Sequence, residues 1–327
     1  MARLAGVSHQ TVSRYLRSDA TINEALRERI RLAIAQLDYR PNLAARAMRN
    51  RKTGRLALLM PSGTAISSLE MFAGATTAAR EAGYDVEVVI LGDPMESRER
   101  RVLELADYGV FEGILALTPL PALSERSTRG STPIVVCAEY DEQMRSIGEL
   151  ADATTTAEII EHLAEQGHRR FLHLAGDYAH TSARARRQVY LETIARLGLE
   201  SHAVVDCDWL PDRARRSILD LPADSGVTAV IAANDLLATG AIRGAQERGW
   251  RVPGDLSVTG WDNNPLGAAM MPSLTSVAVD HERLGRRAVG RLLAVLRGEA
   301  EPDDGGLITR VVWRESTAPP AARTRTP

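Results

Sequence analysis

One short stretch near the amino terminus carries the side chains best suited to touching a nucleic acid. In Ala5-Gly6-Val7-Ser8-His9-Gln10-Thr11-Val12-Ser13-Arg14-Tyr15-Leu16, Gly6 permits a tight turn and Ser8 is placed to cap the helix that follows. Val12 and Leu16 stand four apart and face inward, with Val7 below them. His9, Gln10, Ser13 and Arg14 then face outward. An imidazole, an amide, a hydroxyl and a guanidinium on one face can reach base edges and phosphates.

The charge distribution points the same way. Residues 1–52 hold eleven Lys/Arg against four Asp/Glu, a surplus of +7; since the whole chain carries -2, the remainder carries -9. A basic head on an acidic body suits a polyanion-binding module tethered to a domain that does not bind, because phosphate neutralisation supplies most non-specific affinity.

Catalytic and metal chemistry finds little support. His162-x-x-Glu165-x-x-His168 has its histidines six apart with Gly167 between them, whereas zinc on one helix face wants them four apart. Lys52 is the sole lysine and follows Arg51, so no Gly-Lys-Ser/Thr phosphate loop exists, and no Gly-x-Ser-x-Gly elbow is present. Cys137 and Cys207 fit neither a metal pair nor a disulfide framework and read as buried apolar residues. A non-enzyme without metal or cofactor is expected. The first residues contain no apolar leader and no later run reaches 18 uncharged residues, so a cytoplasmic protein with no membrane partner is expected.

The outward side chains need a framework. Asn23 caps a helix in which Leu26, Ile30, Ala33, Ile34 and Leu37 recur at helical spacing, closing a three-helix head. Tyr39-Arg40-Pro41-Asn42 stops it, since the residue before a proline avoids helical backbone. Leu43 to Arg49 offers good helix formers over about two turns, too short to be stable alone in water, which suits a hinge helix that forms only on DNA.

The succession AGVSHQTVSR, LDYRPN and a short alanine-rich segment resembles the head of the lactose/galactose repressor family of bacterial transcriptional regulators. The resemblance implies that His9, Gln10 and Arg14 read the major groove, that Ser8, Thr11, Ser13 and Tyr39 touch phosphates, and that Asn42 opens the hinge helix. Met48 stands where most members wedge a leucine into the minor groove, a role an apolar methionine can also fill. Measured against the family, Met1-Ala2-Arg3-Leu4 falls partway along the first helix, so that helix is expected to be truncated. The alternative reading is a sugar-binding sensor that has lost DNA binding through N-terminal truncation.

From Arg55 onward, short apolar runs alternate with helical stretches, as strands buried on both faces do. Leu56–Met60, Val86–Ile90, Gly113–Leu117 and Pro133–Cys137 form one parallel lobe, with helices predicted over Phe72–Ala82 and Ser97–Gly109. The rhythm restarts after Asp152, with strands at Arg170–Ala175, Ala203–Val205, Ala229–Ala232 and Ser257–Gly260 among further helices. The predicted class is α/β: a small all-α helix-turn-helix head plus two doubly wound parallel lobes, with a cleft at the carboxyl ends of the strands. The expected division is head 1–41, hinge helix and linker 42–54, core 55–317 and a disordered tail 318–327. Lobe one takes about 55–150 and 281–310, lobe two about 151–280.

Gly167-His168-Arg169-Arg170, Ala233-Asn234-Asp235, Gly260-Trp261-Asp262 and Pro272–Val277 carry the resemblance through nearly the whole chain and imply a core of periplasmic-binding-protein type. They also imply that Arg186, Asn234 and Asp262 bind the effector's hydroxyls, with Arg184 an alternative to Arg186; Trp209 is either a stacking face or core. A donor fork, an amide and a carboxylate at strand ends can jointly hold vicinal hydroxyls. Asp235 reads as a helix N-cap. Ala138 replaces an aspartate of some members, though Glu139 and Asp141 lie near, and Val279 replaces a common glutamine, so the effector is expected to be a sugar outside the known set. The expected function is a sequence-specific repressor that binds a palindromic operator in double-stranded DNA as a homodimer, controlled by a carbohydrate effector.

Overall fold

The computed structural model describes residues 1–15, 22–37, 53–61, 66–92, 95–121, 123, 126–129, 132–137, 139–141, 145–301 and 305–321. The chain divides into two compact units, Met1–Gly54 and Arg55–Pro327.

In the first unit the described helices are Ala2–Ala5, His9–Tyr15 and Glu24–Gln36. Gly6 ends the first with φ of 63°, a left-handed C-cap that costs glycine nothing. Ser8 Oγ accepts from Thr11 N at 3.1 Å and Asn23 Oδ1 from Ala25 N at 2.8 Å, so both expected caps form. Ala5, Ile30 and Ala33 make a small core, with Met1, Val7, Tyr15 and Ile34 packed on it. Leu37, the last expected position of the apolar stripe, is 50% exposed, because the helix ends at Gln36 and its cap residue turns away.

The second unit holds two sheets. In the first, β1 (Arg55–Pro61), β2 (Asp85–Leu91), β3 (Gly113–Ala116), β4 (Arg126–Arg129) and β5 (Thr132–Val136) run in the order β2-β1-β3-β5-β4, parallel except for β4. In the second, β6 (Arg170–Ala175), β7 (Glu200–Asp206), β8 (Ala229–Ala232), β9 (Ser257–Trp261), β10 (Thr275–Val279) and β11 (Thr309–Val312) run β11-β10-β9-β8-β6-β7, parallel except for β11. Each is a doubly wound sheet with helices on both faces, and each has a switch point, between β1 and β3 and between β6 and β8.

The crossover helix His281–Arg297 returns to the first lobe, burying Leu284, Ala288, Val289 and Leu292 with Leu56, Leu58 and Leu115. Asp280 caps it, and Gly285 lets it close on the helix Ile66–Glu81: a Cβ there would lie 1.8 Å from Met71 O. The chain then goes back to the second sheet. Thr309 and Arg310, expected in lobe one, belong to β11 of the second sheet, because Thr309–Val312 pairs antiparallel with β10. The expectation of disorder from residue 318 is also corrected: Ala318 O accepts from His168 Nε2 at 2.9 Å and Pro320 packs beside Gly167.

Candidate DNA-reading face and effector cleft

The helix His9–Tyr15 buries Val12 and leaves Ser8, His9, Gln10 and Arg14 exposed, with Thr11 and Ser13 half-buried beside them. The Ser8 hydroxyl also pairs with Thr11 Oγ1 at 2.9 Å, which fixes the start of the helix. Arg29 donates to Gly6 O at 3.1 Å and ties the turn to the packing helix. The result is a polar face presented at a helix N-terminus, where backbone N–H groups and the helix dipole favour phosphate. Tyr39, Asn42 and Met48 lie outside the described residues.

In the second lobe, three expected effector residues meet at the carboxyl ends of the strands. Arg186, on the helix Thr181–Arg196, is 6% exposed, donates from Nη1 to Ala233 O at 2.6 Å and lies 4.1 Å over the Trp261 ring. Burial lowers its pKa to about 10, while the Asp262 and Asp235 carboxylates oppose the fall, so it stays charged at neutral pH. Arg184 lies exposed on the same helix, bonded to Tyr178 O and Thr181, whereas Arg186 is buried at the strand ends beside Trp261.

Asp262 directly follows β9 with φ of 98°, and Asn263 follows at 49°. Asp262 is exposed to solvent by surface area, yet the protein atoms crowded around its carboxyl push it up to about 6; Arg186 opposes that rise and Asp235 adds to it. Among the described residues, the non-glycine positions at positive φ are Asp208, Trp209, Asp262 and Asn263. All four sit just beyond strands of one sheet, which is where strain held by surrounding structure marks a functional loop.

Trp209 is partly buried against the second-lobe core. Its ring packs against the core beneath β7 and covers Gly176, where a Cβ would come within 2.3 Å of it, and it meets the His180 ring edge-on at 5.5 Å. Asn234 caps the helix Asp235–Glu247, its Oδ1 accepting from Leu237 N at 3.0 Å, which leaves the amide N–H2 as the end that can address a ligand. The cap is therefore Asn234 and not Asp235. Asp235 is the first helical residue, 6% exposed; its carboxylate accepts from Ser276 Oγ and from Asn264 N, each at 2.6 Å.

Buried polar atoms without a protein partner include Arg186 Nε, Trp209 Nε1, Trp261 Nε1 and His281 Nδ1. Arg186 Nε and Trp261 Nε1 lie together, the guanidinium over the indole, whereas Trp209 follows β7 and His281 follows β10 on other strands of the same sheet; a buried polar atom without a protein partner is one a polar ligand or water can satisfy. Trp261 and His281 were not singled out from the sequence, although the Gly-Trp-Asp motif contains one of them and the crossover start the other. Of the remaining candidates, Ala138 lies outside the described residues, Asp141 is held by Arg145 at 2.7 Å, and Glu139 is buried, its carboxyl raised by that burial and by Glu149. Val279 packs into the cores of both lobes.

His162 and His168 do not converge on a metal. His162 contacts Gln166 and the Trp313 ring, while His168 is held between Thr228 and Ala318 O. A separate cavity of about 720 Å³ is lined by Arg286, Arg287, Arg291, Glu149 and Glu301 among others. Its arginines pair with Glu81, Glu149 and Glu301, so its charge is already met, and it does not include the strand-end residues above. No helix among the described residues is long and apolar enough to cross a membrane.

Comparison with known proteins gives a consistent picture. The profile described as bacterial regulatory proteins, lacI family, matches residues 1–42, and that of the periplasmic binding protein-like domain matches residues 160–317. The match from residue 1 to 42 argues against the alternative of a sugar-binding sensor that has lost DNA binding through N-terminal truncation. The HTH-type transcriptional regulator CelR of Thermobifida fusca is 31% identical over 336 residues, spanning 97% of this chain and 96% of that protein. The Lac repressor dimer bound to operator and the anti-inducer ONPF superposes with a TM-score of 0.71 at 25% identity, over 97% of each chain. A complex of the regulator CelR with cellobiose gives 0.58 at 27% identity, over 96% of this chain and 98% of that one.

Proposed function

Because the chain belongs to the lacI family of bacterial regulatory proteins, we propose that it is a cytoplasmic repressor whose head reads a palindromic operator and whose second-lobe strand ends bind a sugar effector. It is a DNA-binding transcription regulator with a periplasmic-binding-protein-like core. The observation that carries the effector reading is the buried Arg186, set over Trp261, bonded to Ala233 O beside Asn234 and close to Asp262, with Arg186 Nε and Trp261 Nε1 lacking a protein partner. A guanidinium that donates and a carboxylate that accepts can together hold adjacent hydroxyls, and the indole faces give a sugar's C–H surface something to cover.

On the head, His9, Gln10 and Arg14 would address base edges while Ser8, Thr11 and Ser13 hold phosphates; Tyr39, Asn42 and Met48 would complete the contacts and the minor-groove wedge. A homodimer supplies two such heads to the two half-sites of a palindrome. Leu266 and Met271, 75% and 90% exposed near the end of β9, offer apolar surface that a second copy would cover. Effector and operator would then bias the same arrangement of lobes, so that each changes the other's affinity by the same factor.

Fluorescence anisotropy on a family-type palindromic duplex, against a scrambled duplex at one fixed salt concentration, tests the DNA half directly. Specific binding that is lost in Gln10→Ala supports it; equal affinity for both duplexes would overturn it.

A further inference from the structure

We infer that Arg314, carried on the segment after β11, is a positioning residue for the effector cleft: it holds Asn263, and through it Asp262, in the left-handed backbone that presents the Asp262 carboxylate. The inference rests on reading the strand ends as an effector site.

Left to itself, an aspartate at φ of 98° followed by an asparagine at 49° would relax to ordinary backbone. Two clamps oppose that. On one side Asp235 accepts from Ser276 Oγ and Asn264 N, and Ser276 Oγ in turn accepts from Asn263 N at 3.0 Å. On the other side Arg314 donates from Nη2 to Asn263 Oδ1 and from Nη1 to Leu274 O, each at 2.6 Å. The planar fork bridges a side-chain oxygen in the turn and a backbone oxygen beside β10, a geometry lysine cannot copy.

The segment that bears Arg314 is anchored without it. Ser316 Oγ donates to Val258 O at 2.6 Å and accepts from Thr275 N at 2.8 Å, Glu315 accepts from Ser273 N and Oγ at 2.9 Å, and Ala318 O receives His168. Removing the guanidinium therefore takes away one of the two clamps on the turn, the one on the Asn263 side chain, while leaving the segment in place.

The test compares Arg314→Gln, Arg314→Lys, Asn263→Gly and the Asn263→Gly/Arg314→Gln double variant, by crystal structure, melting temperature and calorimetric affinity for cellobiose and ONPG. In Arg314→Gln the turn leaves positive φ while the Ser316 and Ala318 contacts persist, and affinity for whichever sugar binds the wild type falls roughly tenfold. Glycine at 263 accepts the left-handed backbone unaided, so adding Arg314→Gln to it costs less than twofold further. Should Arg314→Gln fail to fold, Arg314→Lys carries the same comparison. An unchanged turn with unchanged affinity, or an equal loss in both backgrounds, would overturn the inference. If wild type binds neither sugar, the crystal structures decide: a turn that keeps positive φ in Arg314→Gln overturns the inference, and the effector reading is tested separately with a wider sugar panel.

Discussion

The head and the second-lobe cleft solve recognition in opposite ways. The head sets exposed polar side chains on a core of Ala5, Ile30 and Ala33 and leaves them at the surface. The cleft buries an arginine, leaves several donors unmet and holds two residues at strained φ. A polyanion brings its own charge and is read by whatever reaches it, so surface display suffices. A small neutral hydroxyl ligand must be met by groups already desolvated and aimed, which only a packed scaffold provides.

That contrast can be broken first at the head's core. Ile30→Ala removes its central side chain at a cost of about 2–5 kcal/mol, enough to unfold so small a unit. Operator binding should vanish in anisotropy while the melting transition of the core and its sugar affinity stay put. In the cleft, Arg186→Ala deletes a buried charged donor worth about 1.5–3 kcal/mol per bond to a ligand, so sugar affinity should fall by roughly 10- to 150-fold in calorimetry with operator binding intact. Gln10→Ala or Arg14→Ala should cost about 1–3 kcal/mol on the specific operator and far less on random duplex; equal losses on both would assign them to phosphates.

A subtler distinction lies in pH. The Asp262 carboxyl, ordinarily near 3.8, titrates near 6 in the folded chain. Between those values the folded state holds the proton more tightly than the unfolded state, so the stability contributed by this group falls as pH rises through that window and is lowest once the carboxylate is ionised. Asp262→Asn should therefore flatten the dependence of melting temperature on pH between about 4 and 6 and raise it at pH 7, while weakening effector binding; a steeper dependence would contradict the assignment. The smallest effect belongs to the exposed Arg31–Glu28 pair on the head's packing helix, whose loss in Arg31→Ala should leave the melting curve unmoved.

Much of this was legible in the residues. Helical spacing and caps at Ser8 and Asn23 placed the head, and apolar runs found most of the parallel strands, because strands buried on both faces cannot hide their composition. The antiparallel edges escaped. β4 reads Arg-Ser-Thr-Arg, with no apolar signal, and β11 is a four-residue strand whose place is set by tertiary pairing with β10. Acidic residues favour helix starts, which makes Asp235 look like a cap in sequence, but a buried carboxylate with two donors on neighbouring segments bridges them instead, and Asn234 caps. Trp261, His281 and Arg314 could not have been found by spacing, since their roles follow from how β9, β10 and the last segment lie side by side.

The most direct test of one chain coupling two sites is operator anisotropy with and without a panel of sugars, in wild type and in Asp262→Asn at matched salt. The expected result is a sugar that shifts wild-type operator affinity by at least about fivefold and leaves the variant unmoved. Specific operator binding that no sugar alters, or a shift of the same size in Asp262→Asn, would contradict it.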